Sequence, residues 1–314
     1  MKIVIEEADF LGQLCGAGHA NLEAFETVLG VPVYSLGNEL HLKTEDAVVA
    51  DRFDLLIRTL RRHHKLGQTL TPDLIASLED ALVSGDGGRL ERFQDAIVIP
   101  QGFAKVFPRG WHQVEYVEAM RRGDVTFGIG PAGTGKTYLA IAQALSDVLS
   151  KKRRKIVLTR PVVEAGENLG FLPGDLAQKI SPYLRPLYDA MEDLVPSEVL
   201  NRMEENRVIE IAPLAYMRGR SLKNCFVVLD EAQNTTRTQM KMFLTRLGEN
   251  AKAVITGDLT QIDLPRAQES GLLHAREILD GIPEVHFSLF EKKDVVRSDL
   301  VRKIIEAYET HEKR

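Results

Sequence analysis

Residues 130–137 read Gly-Pro-Ala-Gly-Thr-Gly-Lys-Thr, which fits the spacing Gly-x4-Gly-Lys-Ser/Thr. A β-rich run from Val125 to Ile129 precedes this stretch, and a helical pattern from Tyr138 to Leu149 follows it. Glycines let such a loop turn tightly, so that backbone N–H groups and the N-terminus of the next helix face an anion. Strand, loop and helix occur in the order that this motif requires, and the stretch therefore predicts a phosphate-binding loop.

The side chains of this loop predict binding of ATP and Mg²⁺. Lys136 is long enough to reach the β- and γ-phosphates, where it also serves catalysis, and the Thr137 hydroxyl is an oxygen ligand that suits Mg²⁺. We expect ATP to contact the whole loop, which comprises Gly130, Pro131, Ala132, Gly133, Thr134, Gly135, Lys136 and Thr137.

Two acids follow the apolar run 226–229 and predict attack by water. Asp230 at the strand tip is placed to hold Mg²⁺, and Glu231 is placed to act as the general base for the attacking water. Two acids can also simply end a strand, but beside a phosphate loop the catalytic interpretation is favoured. A small-molecule kinase has no task for a water-activating glutamate.

Two glutamines are weaker candidates for the same site. Gln261 follows the β-rich run 253–256, which puts it at the carboxyl edge of a sheet, where ligands bind in such folds. It is predicted to orient the water and sense the γ-phosphate, with an ordinary turn as the alternative. Gln113 lies 17 residues before Gly130, and its amide is predicted to pair with adenine.

Seven segments together resemble the PhoH-like family of bacterial ATPases. The resemblance is dense over about residues 101–308 and looser over residues 1–65. It is carried by GIGPAGTGKTYLA (128–140), RPVVEAGENLGFLPGD (160–175), PYLRPLYDAM (182–191), PLAYMRGR (213–220), VVLDEAQNTT (227–236), QMKMFLTRLG (239–248) and TGDLTQIDLP (256–265).

The resemblance implies a core similar to the first motor domain of superfamily 1 helicases. It implies that Gln113 reads adenine, that residues 130–137 bind triphosphate, and that Asp230, Glu231 and Gln261 serve hydrolysis. It also implies RNA as the polymer partner, single-stranded or ribosomal, together with ring-like assembly. Members of the family are associated with RNA processing and with an endoribonuclease that matures ribosomal RNA.

One departure from those helicases leads to an expectation about assembly. Superfamily 1 helicases have two motor domains, and the second supplies an arginine finger to the nucleotide. Only about 50 residues follow Gln261 here, so we expect the finger to come from another subunit, most simply in a hexameric ring. The candidates are Arg218, Arg220 and Arg297, each of which could instead form a surface ion pair.

The chain is expected to divide into three parts. Residues 1–66 have the element order of a KH-type RNA-binding module, although no Gly-x-x-Gly occurs in residues 12–18, and this unit binds either RNA or a protein partner. Residues 67–100 are expected to be a helical linker. Residues 101–314 alternate β-rich runs with helical stretches. We therefore expect an α/β fold, a P-loop NTPase (RecA-like) parallel sheet core with a small α+β KH-like N-terminal domain.

Charge and composition bear on which part of the chain can contact RNA and on where the protein is located. The net charge of −5 is concentrated in residues 1–95, which hold 9 Lys+Arg and 16 Asp+Glu, whereas the remainder holds 31 and 29. Clustered charge matters more for phosphate binding than the total, so the second part remains a candidate for RNA contact. A membrane-spanning apolar run and a signal peptide are both missing, and the two cysteines lack a pairing pattern, so we expect a cytoplasmic protein.

Two segments are candidate RNA contacts. Arg160, which follows a β-rich run, and the loop as far as Asp175 are predicted to face RNA or the pore of a ring; a structural loop that pairs Arg160 with a nearby acid is the alternative. The basic run 151–155 suits a phosphate-contacting face or a solvated turn.

Two functions remain open on the sequence alone. The first is Mg²⁺-dependent ATP hydrolysis coupled to RNA binding or remodelling, with helicase activity as one form of it. The alternative is a nucleotide-switched scaffold whose slow hydrolysis controls the docking of an RNA-processing protein partner.

Overall fold

The computed structural model describes residues 1–83, 87–161, 176–265 and 269–295, together with Ile304. These residues belong to two compact units. The first unit comprises Met1–Ala96 and Phe107–Val114, and the second comprises Ile97–Val106 and Glu115–Arg314.

The first unit is an α+β structure whose opening element order is β-α-α-β-β-α, as the sequence predicts. Its described strands form an antiparallel sheet in the order β1-β3-β2. The elements are β1 (Lys2–Val4), α1 (Ala8–Cys15), α2 (Ala20–Leu29), β2 (Val33–Leu36), β3 (Glu39–Leu42), α3 (Ala47–Lys65), α4 (Pro72–Val83) and α5 (Gly87–Arg92).

Much of the expected linker over residues 67–100 packs into the first unit. One face of α4 buries Leu74, Ile75 and Leu78 in the hydrophobic core of that unit, and Phe93 joins the same core. The apolar spacing of α4 explains the difference, because a helix with such a face is stable only when that face is covered. Residues 67–96 therefore form part of the N-terminal unit.

The second unit is built on a parallel sheet. Its elements are β4 (Ile97–Ile99), β5 (Ala104–Val106), α6 (Trp111–Arg122, whose first turn belongs to the first unit), β6 (Val125–Ile129), α7 (Lys136–Leu149), β7 (Lys155–Arg160), α8 (Leu176–Glu192), α9 (Ser197–Glu205), β8 (Ile209–Pro213), β9 (Cys225–Leu229), α10 (Arg237–Leu244), β10 (Lys252–Gly257), α11 (Gly271–Leu279) and β11 (Val285–Leu289).

Over the described residues the sheet order is β11-β6-β10-β9-β7-β8, and each neighbouring pair is parallel. Alternate residues of β9 enter two different hydrophobic clusters: Phe226 and Val228 join one, and Val227 and Leu229 join the other. A strand with both faces covered reads as an unbroken apolar run, which is why these strands could be recognised in the sequence. The α/β class and the parallel P-loop core are confirmed.

Strand register brings the functional loops to one edge of the sheet. Ile129 at the end of β6 pairs with Gly257 at the end of β10, and Leu229 at the end of β9 pairs with Ile255 and with Thr159. The segments that follow these strands therefore emerge side by side at the carboxyl edge.

None of the helices in the described ranges is both long and apolar enough to cross a bilayer.

A buried lysine at the amino edge of the sheet predicts a pH-dependent stability. Nζ of Lys252 donates to the carbonyl of Met120 and, at 3.1 Å, to that of Arg121 in the last turn of α6. Burial lowers the pKa of Lys252 from 10.5 to about 8. Between these values the native state releases the proton while the unfolded chain retains it, so the native state gains stability as the pH rises.

We therefore expect the wild-type protein to gain about 1–2 kcal/mol relative to the Lys252→Met variant between roughly pH 7.5 and pH 9.5. Urea unfolding of both proteins across this range measures the difference. Parallel pH profiles for the two proteins would contradict the assignment.

Candidate active site

The phosphate loop 130–137 has the backbone that its glycines predict. Gly133 and Gly135 have φ values of +84° and +79°, in the region that side chains disfavour. At Gly130 the φ is +153°, and an added Cβ would lie 2.6 Å from the carbonyl oxygen of Phe290. These positions therefore require glycine, and the loop leads directly into the first turn of α7.

Lys136, the first residue of α7, has a largely buried side chain that is 7% exposed. Its Nζ donates to the carbonyls of Gly130 at 2.7 Å and Pro131 at 2.6 Å and contacts the hydroxyl of Thr134 at 3.1 Å. The ammonium is thus held by oxygens of the loop itself, at the place where an incoming phosphate group would offer stronger acceptors.

The charge of Lys136 is balanced by acids at the ends of two strands. Burial lowers the pKa of the ammonium below 10.5, while the carboxylates of Asp258, Asp230 and Glu231 act in the opposite direction. A cation in this partly dry position interacts with a phosphate more strongly than it would in water.

Thr137 and Asp230 meet as predicted for a Mg²⁺ site. The Thr137 hydroxyl donates to Oδ1 of Asp230 at 2.7 Å, and the same oxygen accepts from the Thr256 hydroxyl at 2.6 Å. A hydroxyl and a carboxylate are hard oxygen ligands, and Mg²⁺ is commonly held by one or two such groups together with water and substrate phosphates. This donor set fits Mg²⁺.

Glu231 follows Asp230 in a constrained conformation. Its φ of +52° is unusual for a residue with a side chain, and such outliers are often found at functional sites. One carboxylate oxygen lies 3.0 Å from Nη2 of Arg160, and the other accepts from Nε2 of Gln233 at 2.5 Å. Both carboxylate oxygens thus have partners, and Arg160 is paired with an acid as one of the two sequence interpretations allowed.

Gln233 is a residue that the sequence analysis missed. Its side chain is fully buried, and Nε2 donates to the carbonyl of Gln261 at 3.1 Å as well as to Glu231. Its Oε1 accepts from the backbone N–H of Asp258 at 3.0 Å. Gln233 therefore connects the segment after β9 to the turn after β10. Its position two residues after Glu231 is a sequence feature from which a place in this site could have been predicted.

Asp258 is a second residue that the sequence analysis did not select. Its Oδ2 accepts from the backbone N–H of Ala132 at 3.1 Å and from Nε2 of Gln261 at 2.9 Å. Its Oδ1 accepts from the backbone N–H and the hydroxyl of Thr260. The carboxylate of Asp258 thus holds both the phosphate loop and the exposed Gln261.

Gln113 and the finger candidates are less directly placed. Gln113 is buried in the first unit, where its Oε1 accepts from the backbone N–H of Arg109 at 2.8 Å, and its pairing with adenine stays a prediction. Arg218 is exposed in the loop after β8. Arg297 and the loop 162–175 lie outside the described residues.

Arg220 is engaged within its own chain. Its guanidinium forms a two-point ion pair with Glu210, whose second partner is Lys155 with Nζ at 2.6 Å. Hydrogen bonds from Arg220 and Lys155 hold the pKa of Glu210 at about 2, and Glu210 in turn raises that of Arg220. A finger role for Arg220 would require this pair to open.

Comparison with known proteins identifies relatives over most of the chain. A family model described as PhoH-like protein matches residues 105–309. A PhoH-like protein of Mycobacterium tuberculosis is 47% identical over 305 residues, which cover 97% of this chain and 86% of that protein. A PhoH-like protein of Bacillus subtilis is 59% identical over 197 residues, which cover 63% of this chain and 62% of that protein.

Among solved structures, a Sulfolobus solfataricus SWI2/SNF2 ATPase core in complex with dsDNA matches 46% of this chain and 31% of that chain. The TM-score is 0.32 at 17% sequence identity, a likeness too distant to inform the fold.

Nucleotide binding should depend on Lys136. We expect Lys136→Ala to remove the thermal stabilisation given by Mg²⁺ and a non-hydrolysable ATP analogue, because the cation that meets the phosphates is lost. Ligand binding stabilises by RT ln(1 + [L]/Kd), so a hundredfold weaker affinity removes about 2.7 kcal/mol at saturating ligand. Lys241→Ala, at an exposed lysine of α10, is the matched control and should keep the full shift. An undiminished shift in Lys136→Ala would show that the loop binds without its lysine.

Proposed function

This chain belongs to the PhoH-like protein family, and from that premise we propose that it is a cytoplasmic ATPase that couples Mg²⁺-dependent ATP hydrolysis to the binding or remodelling of RNA. The observation that carries the hydrolytic part is the 2.7 Å hydrogen bond between Thr137 and Asp230. It joins a hydroxyl of the phosphate loop to an acid on another strand, and together they form the oxygen pair that suits Mg²⁺.

The side chains divide the chemistry between them. Lys136 and the backbone N–H groups of the loop bind the phosphates, and Thr137 with Asp230 would hold Mg²⁺, which supplies charge neutralisation of the β- and γ-phosphates when it is bound. Glu231 accepts a proton from water as the water oxygen forms a bond to the γ-phosphorus. The bond from that phosphorus to the bridging oxygen breaks, and ADP and phosphate leave.

Gln233 and Asp258 are positioning residues in this proposal. Gln233 sets Glu231 against the turn that carries Gln261, and Asp258 sets that turn against the phosphate loop. Gln261, which is exposed at the same edge, would have to exchange its hydrogen bond to Asp258 for one to the γ-phosphate in order to sense it. A general base contributes about 10²–10⁴ in rate only when it is held within reach of the water.

The RNA part of the proposal is supported by family membership and by the charge distribution. Beyond residue 95 the chain carries a small net positive charge, and Arg160 lies at the carboxyl edge beside Glu231. Single-stranded or ribosomal RNA is the proposed substrate class, and an endoribonuclease is the proposed protein partner. The N-terminal unit, with its acidic balance, is better suited to docking such a partner than to direct phosphate contact.

A homo-oligomer, in the form of a hexameric ring, completes the proposal. Arg218 is exposed, whereas Arg220 is occupied by Glu210, so Arg218 and Arg297 are the preferred fingers. An arginine supplied by a neighbouring subunit would stabilise the charge that develops on the γ-phosphate.

Hydrolysis should depend on Glu231 and respond to RNA. We expect Glu231→Gln to lower kcat about 10²-fold or more while ATP-analogue binding is retained, because the amide cannot accept the proton. Single-stranded RNA should raise the wild-type rate, and less so at about 200 mM than at about 50 mM salt, because phosphate contacts release counterions.

The measurement is steady-state ATP turnover with and without a panel of RNAs. A wild-type rate that ignores every RNA at both salt concentrations would exclude the remodelling function. If capture of a protein partner then depended on the bound nucleotide, the scaffold alternative would take its place. A fully active Glu231→Gln protein would exclude the assigned base.

If a neighbouring subunit supplies the arginine finger, oligomers that mix two inactive variants should regain activity. We expect Arg297→Ala to lower kcat by about 10³-fold or more, and an equal mixture with Lys136→Ala to regain part of the activity, because each inactive subunit supplies what the other lacks. Arg218→Ala is tested in the same way. The role of Arg297 fails if Arg297→Ala is fully active, or if mixing restores nothing although native mass spectrometry shows mixed oligomers.

A further inference from the structure

The ion pair between Arg160 and Glu231 has no task in the hydrolytic chemistry described above. Arg160 is the last residue of β7, and its side chain is 22% exposed. Its Nη2 lies 3.0 Å from Oε1 of Glu231, whose side chain is 32% exposed. The arginine therefore contacts the proposed general base directly while it remains accessible from solvent.

This pair opposes the function of a base. Accepting a proton from water requires electron density on a carboxylate oxygen that faces the water. A charge-assisted hydrogen bond from a guanidinium is strong and directional, and it holds one of the carboxylate oxygens in place. Since Gln233 occupies the other oxygen at 2.5 Å, both oxygens of Glu231 are restrained in this conformation.

The same guanidinium is suited to another acceptor. Arginine presents a planar fork of N–H donors that matches a phosphate group as well as a carboxylate. The backbone of a nucleic acid supplies many such phosphates, and contact with arginine gives affinity without dependence on base sequence. A backbone phosphate that reaches this edge of the sheet would therefore compete with Glu231 for the guanidinium of Arg160.

We propose that Arg160 is a positioning residue that restrains Glu231 in the absence of a polymer, and that a backbone phosphate of single-stranded RNA draws the guanidinium away and releases the carboxylate for catalysis. The inference rests on the proposed function, because it assumes that Glu231 is the base. It adds a mechanism by which RNA raises the rate, namely a competition between two anions for one arginine.

The proposal predicts whether kcat without RNA rises or falls when Arg160 loses its charge. If Arg160 restrains Glu231, removal of its charge raises kcat without RNA. If Arg160 instead supports Glu231 or the transition state, the same change lowers kcat. Because the ion pair is partly exposed, its loss in Arg160→Gln is expected to raise kcat by about 2- to 5-fold.

The experiment measures kcat and KM for ATP with the full-length wild type, Arg160→Gln, Arg160→Lys and the double variant Arg160→Gln/Glu231→Gln. Arg202→Gln is the matched control, because it removes an exposed arginine of α9 that has no part in the proposed site. Each protein is assayed alone, with single-stranded RNA, with single-stranded DNA of the same length and with inorganic phosphate. Circular dichroism verifies that each variant is folded.

The expected result has three parts. Arg160→Gln has a raised kcat and an unchanged KM without RNA, RNA raises its rate no further, and Arg160→Lys keeps part of the restraint and part of the RNA response. Arg202→Gln behaves as the wild type in the absence of polymer. RNA activates the wild type more than free phosphate does, and the DNA arm shows whether the backbone alone suffices.

Three results would overturn the proposal. The first is a lowered or unchanged kcat in folded Arg160→Gln, and the second is full RNA stimulation of that variant. The third is a response to RNA that equals that of the wild type in both Arg160→Lys and Arg160→Gln. Failure of the proposed function is separately visible. A double variant as active as Arg160→Gln would show that Glu231 is not the base, and a wild type indifferent to RNA beside a raised kcat in Arg160→Gln would reject RNA as the releasing ligand.

Discussion

Parallel pairing of β10 with both β6 and β9 determines where the candidate catalytic groups lie. Because these strands run in the same direction and in register, the phosphate loop after β6, the acids after β9 and the turn after β10 emerge at one edge. Oδ1 of Asp230 then accepts from the hydroxyls of Thr137 and Thr256, and so joins the phosphate loop, the acids and the last turn-side residues of β10 through a single oxygen. A shift of one residue in β9 would move Asp230 to the opposite face of the sheet and remove this junction.

The polar groups around this junction are stable in a buried setting because they satisfy one another. Asp258 accepts from the phosphate loop and from its own turn, and Gln233 uses both ends of its amide. Leaving a buried donor or acceptor without a partner costs about 1–3 kcal/mol, so each of these contacts constrains the others. The network can therefore hold Glu231 at a φ of +52°, which costs of the order of 1 kcal/mol or more.

The sequence alone predicted those features that depend on residues close together in the chain. The unbroken apolar runs at 226–229 and 253–256 indicated strands buried on both faces, and the glycines of 130–137 indicated the loop backbone. Contacts between distant segments left no such signal: Asp258 reaches Ala132 across 126 positions of the chain. The packing of residues 67–96 into the first unit is another such contact, because the apolar face of α4 does not reveal which core will cover it.

The charges at this edge also bear on the role of a divalent cation. The carboxylates of Asp230, Glu231 and Asp258 act on Lys136, and Arg160 is engaged by Glu231. A triphosphate that enters such a setting adds negative charge to a place already rich in carboxylates, and in a partly dry site that repulsion is weakly screened. Thr137 and Asp230 would hold a divalent cation, whose charge would offset this repulsion, and withdrawal of Arg160 toward another anion would increase the need for it.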